Sequence, residues 1–88
     1  MKEITVRVTD PVGLHARPAT IAVSAATKVG CDVTIEYKNR EIDMKSIMAV
    51  MSLGIPSQAD IVIKCEGEDE EEAIQKIEET LRTNKVIA

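Results

Sequence analysis

Hydrophobic spacing along this chain switches repeatedly between two periods, and that switching limits its fold more than any other feature. Ile4, Val6 and Val8 fall on one side of residues 3–8 and Thr5 and Arg7 on the other, the period of a strand with one wet face. Thr9-Asp10-Pro11-Val12-Gly13 then breaks the strand. From Ala16 to Val29 the spacing is helical. Ala19, Ala22, Val23 and Ala26 share a face, Pro18 sits in the first turn where a missing N–H costs little, and Gly30 is placed to stop the helix. Val33, Ile35 and Tyr37 return to the strand period, a turn follows at Lys38-Asn39-Arg40, and a short return strand contains Ile42 and Met44. Asn39 tolerates positive φ, although the glycine that makes such a hairpin firm is absent.

Ser46 to Leu53 predicts a short helix closed by Gly54, followed by an irregular Ile55-Pro56-Ser57-Gln58 link and a fourth alternating segment at Ile61, Ile63 and Cys65. The last helix starts near Asp69, with Glu72 three residues on in a cap-like arrangement. Its apolar stripe is Ile74, Ile77 and Leu81. Glu70, Glu71 and Glu72 crowd its positive end, and Arg82 and Lys85 its negative end. That acidic run reads as the solvated face of an amphipathic helix, not as a binding tail. The order is β-α-β-β-α-β-α, which folds most simply as an α+β, two-layer domain: an antiparallel four-stranded sheet with three helices on one face and water on the other.

Composition narrows the function. A chain of 88 residues, 44% hydrophobic, is enough for one domain over residues 1–88 with a modest core, not for an enclosed catalytic cavity. A net charge of −4 and a single tyrosine as the only aromatic argue against nucleic acid as a partner, since such binding rests on Lys/Arg and stacking platforms. No apolar stretch approaches the ~18 residues of a spanning helix or the h-region of a signal peptide, so a cytoplasmic protein without membrane insertion is expected. Cys31 and Cys65 lack the spacing of a zinc or redox motif and share parity with apolar neighbours, which predicts reduced, buried packing residues.

The chemistry concentrates in Gly13-Leu14-His15-Ala16-Arg17-Pro18-Ala19-Thr20, where a turn runs into a helix start and carries the only histidine. Helix starts leave N–H groups unpaired and carry partial positive charge, so they seat anions, phosphate above all. With His15 as the capping residue, the amides of Ala16 and Arg17 would point outward and the Arg17 guanidinium would add a fork of donors. The bland alternative, a simple cap at His15 and a solvated Arg17, accounts for neither the Gly-Leu approach nor the Pro-Ala exit. Imidazole also carries a phosphoryl group, so reversible phosphorylation of His15 is expected, with no metal and no organic cofactor. A hydrolase using His15 as general base is disfavoured by the lack of an Asp/Glu orienter in the motif.

The second motif is Lys45-Ser46-Ile47-Met48-Ala49-Val50-Met51-Ser52-Leu53-Gly54. Ser46 reads as a helix N-cap. Ile47, Met48, Ala49, Val50 and Met51 are apolar all round a short helix that a two-layer domain can bury on one side only. Some must face water, and Ile47, Met48 and Met51 are candidates for a docking patch, with core packing as the alternative for the same residues.

Together GLHARPAT and KSIMAVMSLG closely resemble the HPr family, the histidine-containing phosphocarriers of the bacterial phosphoenolpyruvate:sugar phosphotransferase system, and the resemblance spans essentially the whole chain. It implies an open-faced β-sandwich and a phosphohistidine at His15, formed through Nδ1. It further implies that Arg17 binds phosphate, that Enzyme I is the donor and that EIIA domains of sugar permeases are the acceptors. It also implies regulatory phosphorylation of Ser46 by HPr kinase/phosphorylase, after which the protein serves a catabolite control protein. A small acidic carrier that visits several partners is expected to be a monomer. Ala49 stands where the family commonly has glycine, and Val12 where a small polar residue is common.

Overall fold

The computed structural model describes residues 1–88. Its elements are β1 (Lys2–Arg7), α1 (Arg17–Thr27), β2 (Asp32–Tyr37), β3 (Arg40–Asp43), α2 (Ile47–Ser52), β4 (Asp60–Glu66) and α3 (Glu70–Thr83). The four strands form one antiparallel sheet in the order β1-β4-β2-β3, and the three helices complete the open-faced two-layer architecture.

Strand parity sets which face is buried. Ile4 pairs with Ile63, Ile63 with Ile35, and Ile35 with Ile42, so four isoleucines run in a row across the core face. Val33 pairs with Cys65 in the neighbouring row, and Val33, Ile35, Ile63 and Cys65 are all buried. On the open face Lys64 Nζ lies 2.9 Å from both Glu36 and Glu41, while Thr34 Oγ1 donates to Glu41 at 3.0 Å. These polar contacts help hold the wet face in register around the half-buried Val62, which pairs with Thr5 and Glu36.

Helix α1 docks through Pro18, Ala19, Ala22, Ala25 and Ala26, and α3 through Ala73, Ile74, Ile77 and Leu81. The small α1 residues let its backbone approach closely; the larger α3 residues fill the remaining volume, and 23 buried side chains make one core cluster. Beyond α3 the chain reverses at Lys85 (φ 60°), and Ile87 bridges Val8.

Several expected boundaries differ. The first strand ends at Arg7; Val8 lies beyond it, bridging Ile87 and hydrogen-bonding to Ala59 and Gln58. Helix α1 begins at Arg17 and ends at Thr27 with Lys28 in the right-handed cap, so Gly30 lies too far on to stop it. Lys38 (φ 50°) and Asn39 (φ 66°) both take the left-handed conformation, the demand of a two-residue hairpin turn, here met without glycine because cross-strand pairing from Tyr37↔Arg40 onward enforces it. Met44 falls just past β3 and is completely buried. Asp69 is the N-cap of α3 but its carboxylate caps nothing. Glu70 instead accepts the Gly67 N–H at 3.3 Å and pairs with the Met1 ammonium at 2.8 Å, and these contacts replace the expected capping box.

Both cysteines are free and buried, as their parity predicted. They lie close together on the core face, and burial, followed by the neighbouring Cys31, pushes the Cys65 thiol up to about 12.

Candidate functional site

The His15 loop is fixed at both ends by burial. Leu14 is 2% exposed and its N–H donates to the Ile55 carbonyl at 3.0 Å, so the loop is stitched to the segment that follows α2. Pro18, in the first turn of α1, is buried against the core. Between these anchors His15, Ala16 and Arg17 are all exposed. Their order in the chain forces this: an apolar residue before and an apolar residue after go inward, and three residues bulge into water.

Gly13 makes the bulge possible. Its φ is +71°, and a Cβ there would lie 2.3 Å from the Ile55 carbonyl oxygen and under 3 Å from two backbone atoms of Pro56. Only glycine allows this close approach between the His15 loop and the Ile55-Pro56 link.

The helix cap lies one residue later than expected. Ala16, not His15, is the N-cap of α1, with φ 52° and ψ −122°, and it has no side chain with which to cap. Non-glycine residues rarely hold positive φ, and the strain here is of order 1–3 kcal/mol. Thr20, on the exposed side of the first turn, secures it: its N–H and its Oγ1 both donate to the Ala16 carbonyl, at 3.1 and 3.2 Å. With no capping side chain, the first amides of α1 have no local acceptor, and Pro18 has no N–H. The α1 start is thus an uncapped, positively polarised helix end beside an exposed imidazole and guanidinium, and Arg17 enters none of the ion pairs.

Helix α2 packs on α1. Ser46 is its N-cap, as predicted: Oγ accepts the Ala49 N–H at 3.3 Å, and the backbone there is extended (φ −108°, ψ 117°). Gly54 (φ +60°) closes the other end. Val50 alone is fully buried, Met51 and Ala49 are half-buried, and Ile47 and Met48 are exposed at 38% and 82%. The apolar helix therefore divides, with Met51 packed against the core and Ile47 and Met48 in water. Leu14, through Ile55, ties the His15 loop to the exit of α2, whereas Ser46 stands at its entrance, about 9 Å of helix away.

Sequence reasoning did not single out Val12 as a surface feature, yet it is 58% exposed and lies three residues before His15. It also missed Ile55 and Pro56, the floor under Gly13, whose only sequence signal was the proline. No group of three or more His, Cys, Asp or Glu is arranged to hold a metal ion.

Fold and site together define a small open-faced α+β protein that displays one histidine on a strained, uncapped helix start. The family model described as "PTS HPr component phosphorylation site" matches residues 2–83. The chain is similar to the histidine-containing phosphocarrier protein of Mycoplasma, with a TM-score of 0.92 at 36% identity over 98% of both chains. It is similar also to phosphocarrier protein HPr of Bacillus anthracis, with a TM-score of 0.83 at 37% identity over 90% of this chain and 94% of the other. Crh, the catabolite repression protein of Bacillus subtilis seen as a domain-swapped dimer, superposes with a TM-score of 0.72 at 34% identity over 94% and 95%. The chain belongs to the HPr family of phosphotransferase-system phosphocarriers.

Proposed function

We propose that this chain accepts a phosphoryl group on His15 from phospho-Enzyme I, ultimately from phosphoenolpyruvate, and passes it to EIIA domains of sugar permeases. The observation that carries this reading is the exposure of His15 between two buried anchors, Leu14 and Pro18: the segment is held at both ends while its histidine faces water, where a partner can reach it. The imidazole Nδ1 attacks phosphorus in line, the N–P bond forms as the donor's bond to phosphorus breaks, and the donor leaves with that electron pair. Arg17 and the first amides of α1, with Ala16 at the turn, take the negative charge of the bound group. The chain is thus a carrier that is itself phosphorylated, not an enzyme, acting in the cytoplasm as a monomer over residues 1–88 without metal or organic cofactor. Light scattering at working concentrations tests the monomer against the dimer seen for Crh.

Ile47, Met48 and the half-exposed side of Met51 form the docking patch for Enzyme I and EIIA, one surface serving several partners because thioether side chains adapt. A second role at Ser46 is supported by its cap geometry: an added phosphate retains acceptor oxygens for the Ala49 N–H and sits at a helix start, so the fold tolerates it while the partner surface changes. This role would make HPr kinase/phosphorylase and the catabolite control protein further partners.

Incubation with phosphoenolpyruvate and Enzyme I, followed by mass spectrometry and phosphorus NMR, should show one acid-labile phosphate. His15→Ala should abolish it with the fold intact. Phosphate acceptance by His15→Ala would overturn the carrier reading.

A further inference from the structure

The His15 loop hangs from a four-residue turn, and one residue organises that turn through its main chain and its carboxylate. Asp10 makes three hydrogen bonds there. Its carbonyl accepts the Gly13 N–H at 2.9 Å, its Oδ1 accepts the Val12 N–H at 3.0 Å, and its own N–H donates to the Val86 carbonyl at 3.4 Å. The same Val86 carbonyl accepts the Thr9 N–H at 2.9 Å. Val86 is completely buried and held by its own N–H to the Leu81 carbonyl at 2.9 Å, so the loop is suspended from α3.

Local chemistry agrees with this geometry. Asp10-Pro11-Val12-Gly13 carries Asp at the first turn position, Pro at the second and Gly at the fourth, the signature of a type I turn. Val12, third, keeps the negative φ which that type requires. Pro11 fixes one dihedral in advance, and the Asp10 carboxylate folds over to the amide two residues on. Gly13 then enters its left-handed conformation against Ile55, and His15 follows two residues later.

We infer that Asp10 is a positioning residue for phosphoryl transfer. By accepting the Val12 amide, its carboxylate closes the turn that the main chain ties to Val86, which fixes where the Gly13-Leu14-His15 segment leaves the sheet, and hence where the imidazole meets phosphorus. This rests on the carrier role of His15. The bond, not the charge, does the positioning, so asparagine serves where alanine does not.

The test compares wild type, Asp10→Ala and Asp10→Asn in phosphorylation by Enzyme I, with kcat and KM separated. Asp10→Ala should lower kcat about five-fold, the loss of one hydrogen bond's worth of alignment. KM should move little, because the docking side chains of α2 are not attached to this turn, and Asp10→Asn should restore kcat. Equal kcat for Asp10→Ala and wild type, an effect confined to KM, or an Asn variant as slow as Ala would each overturn the inference. Amide exchange at Val12 and Gly13 reads the anchoring without any chemistry. It should quicken in Asp10→Ala and recover in Asp10→Asn while β4 and α3 amides stay protected; unchanged exchange also overturns it. A wild type that takes no phosphate while this exchange pattern holds would refute the carrier reading and leave the anchoring intact.

Discussion

At Gly13 two constraints coincide, positive φ and contact with the Ile55 carbonyl, and a methyl group violates both. Gly13→Ala should therefore destabilise the protein by about 2–3 kcal/mol in urea unfolding, above the usual penalty for a strained left-handed alanine, because the Ile55-Pro56 backbone must also move. Ala16 presents the reverse case: its strain was invisible in the sequence, where alanine reads as a good helix former, and it moved the cap one residue past His15. Propensity describes a residue alone, whereas this conformation is imposed by Leu14 and Pro18 being buried on either side. The cysteines show the same division. Their burial was legible from parity, but not their proximity, which comes from β2 pairing with β4 across a long sequence separation. Burial holds Cys65 protonated well above neutral pH and encloses Cys31 as well, so both thiols should resist alkylation at pH 8 in the native protein, Cys65 by protonation and burial and Cys31 by burial, and react when it is unfolded. Mass spectrometry after iodoacetamide treatment checks this.

Helix α2 is too short to persist by its own propensity, so its cap and its packing on α1 carry it. Ser46→Ala removes the acceptor for the Ala49 amide and should cost about 1 kcal/mol in chemical denaturation, with His15 phosphorylation unaffected. A large loss of His15 phosphorylation in that variant would show that the two ends of α2 are coupled. Legibility varied among the elements for physical reasons. The cap at Ser46 was readable because its interaction partner lies three residues away. At Asp69 the position of the cap was readable but its side-chain role was not, because Glu70 finds Gly67 and the distant Met1 ammonium. Strand faces were readable to the residue from their period, whereas the Lys38-Asn39 turn carried only half of its usual signal and took its conformation from the pairing on either side. For the candidate site, His15, Arg17 and Ser46 stood out as residue types in place. The floor at Ile55 and Pro56 and the tie to Val86 did not, because they are contacts between separate parts of the chain.

For the molecule as a whole, the open sheet face and its rim hold most of the cross-strand ion pairs. Hydrogen bonding to Lys64, and then to Thr34, draws the Glu41 carboxyl below its ordinary 4.5, and hydrogen bonding to Arg7 draws Asp60 below 3.8. The Lys64 ammonium is correspondingly raised by Glu36 and Glu41 and stays charged. Carboxylates with depressed folded values stabilise the fold above their unfolded pKa and lose that contribution as pH falls through the folded one. The urea midpoint should therefore be flat from pH 7 to 5 and fall below the ordinary carboxylate value near 4.5. Lys64→Met should fall less steeply in the same series, and added salt should flatten both, since these groups are exposed. The pairing order has a different consequence. Lys2 meets Cys65, Leu14 meets Ile55, and Thr9 meets Val86, so every long-range partner that holds the His15 loop in place is made after it, and only the local Asp10 turn precedes it. On the ribosome the first part of the site to emerge is the last to be finished, and a translation product cut short before Val86 contains the histidine without the frame that presents it.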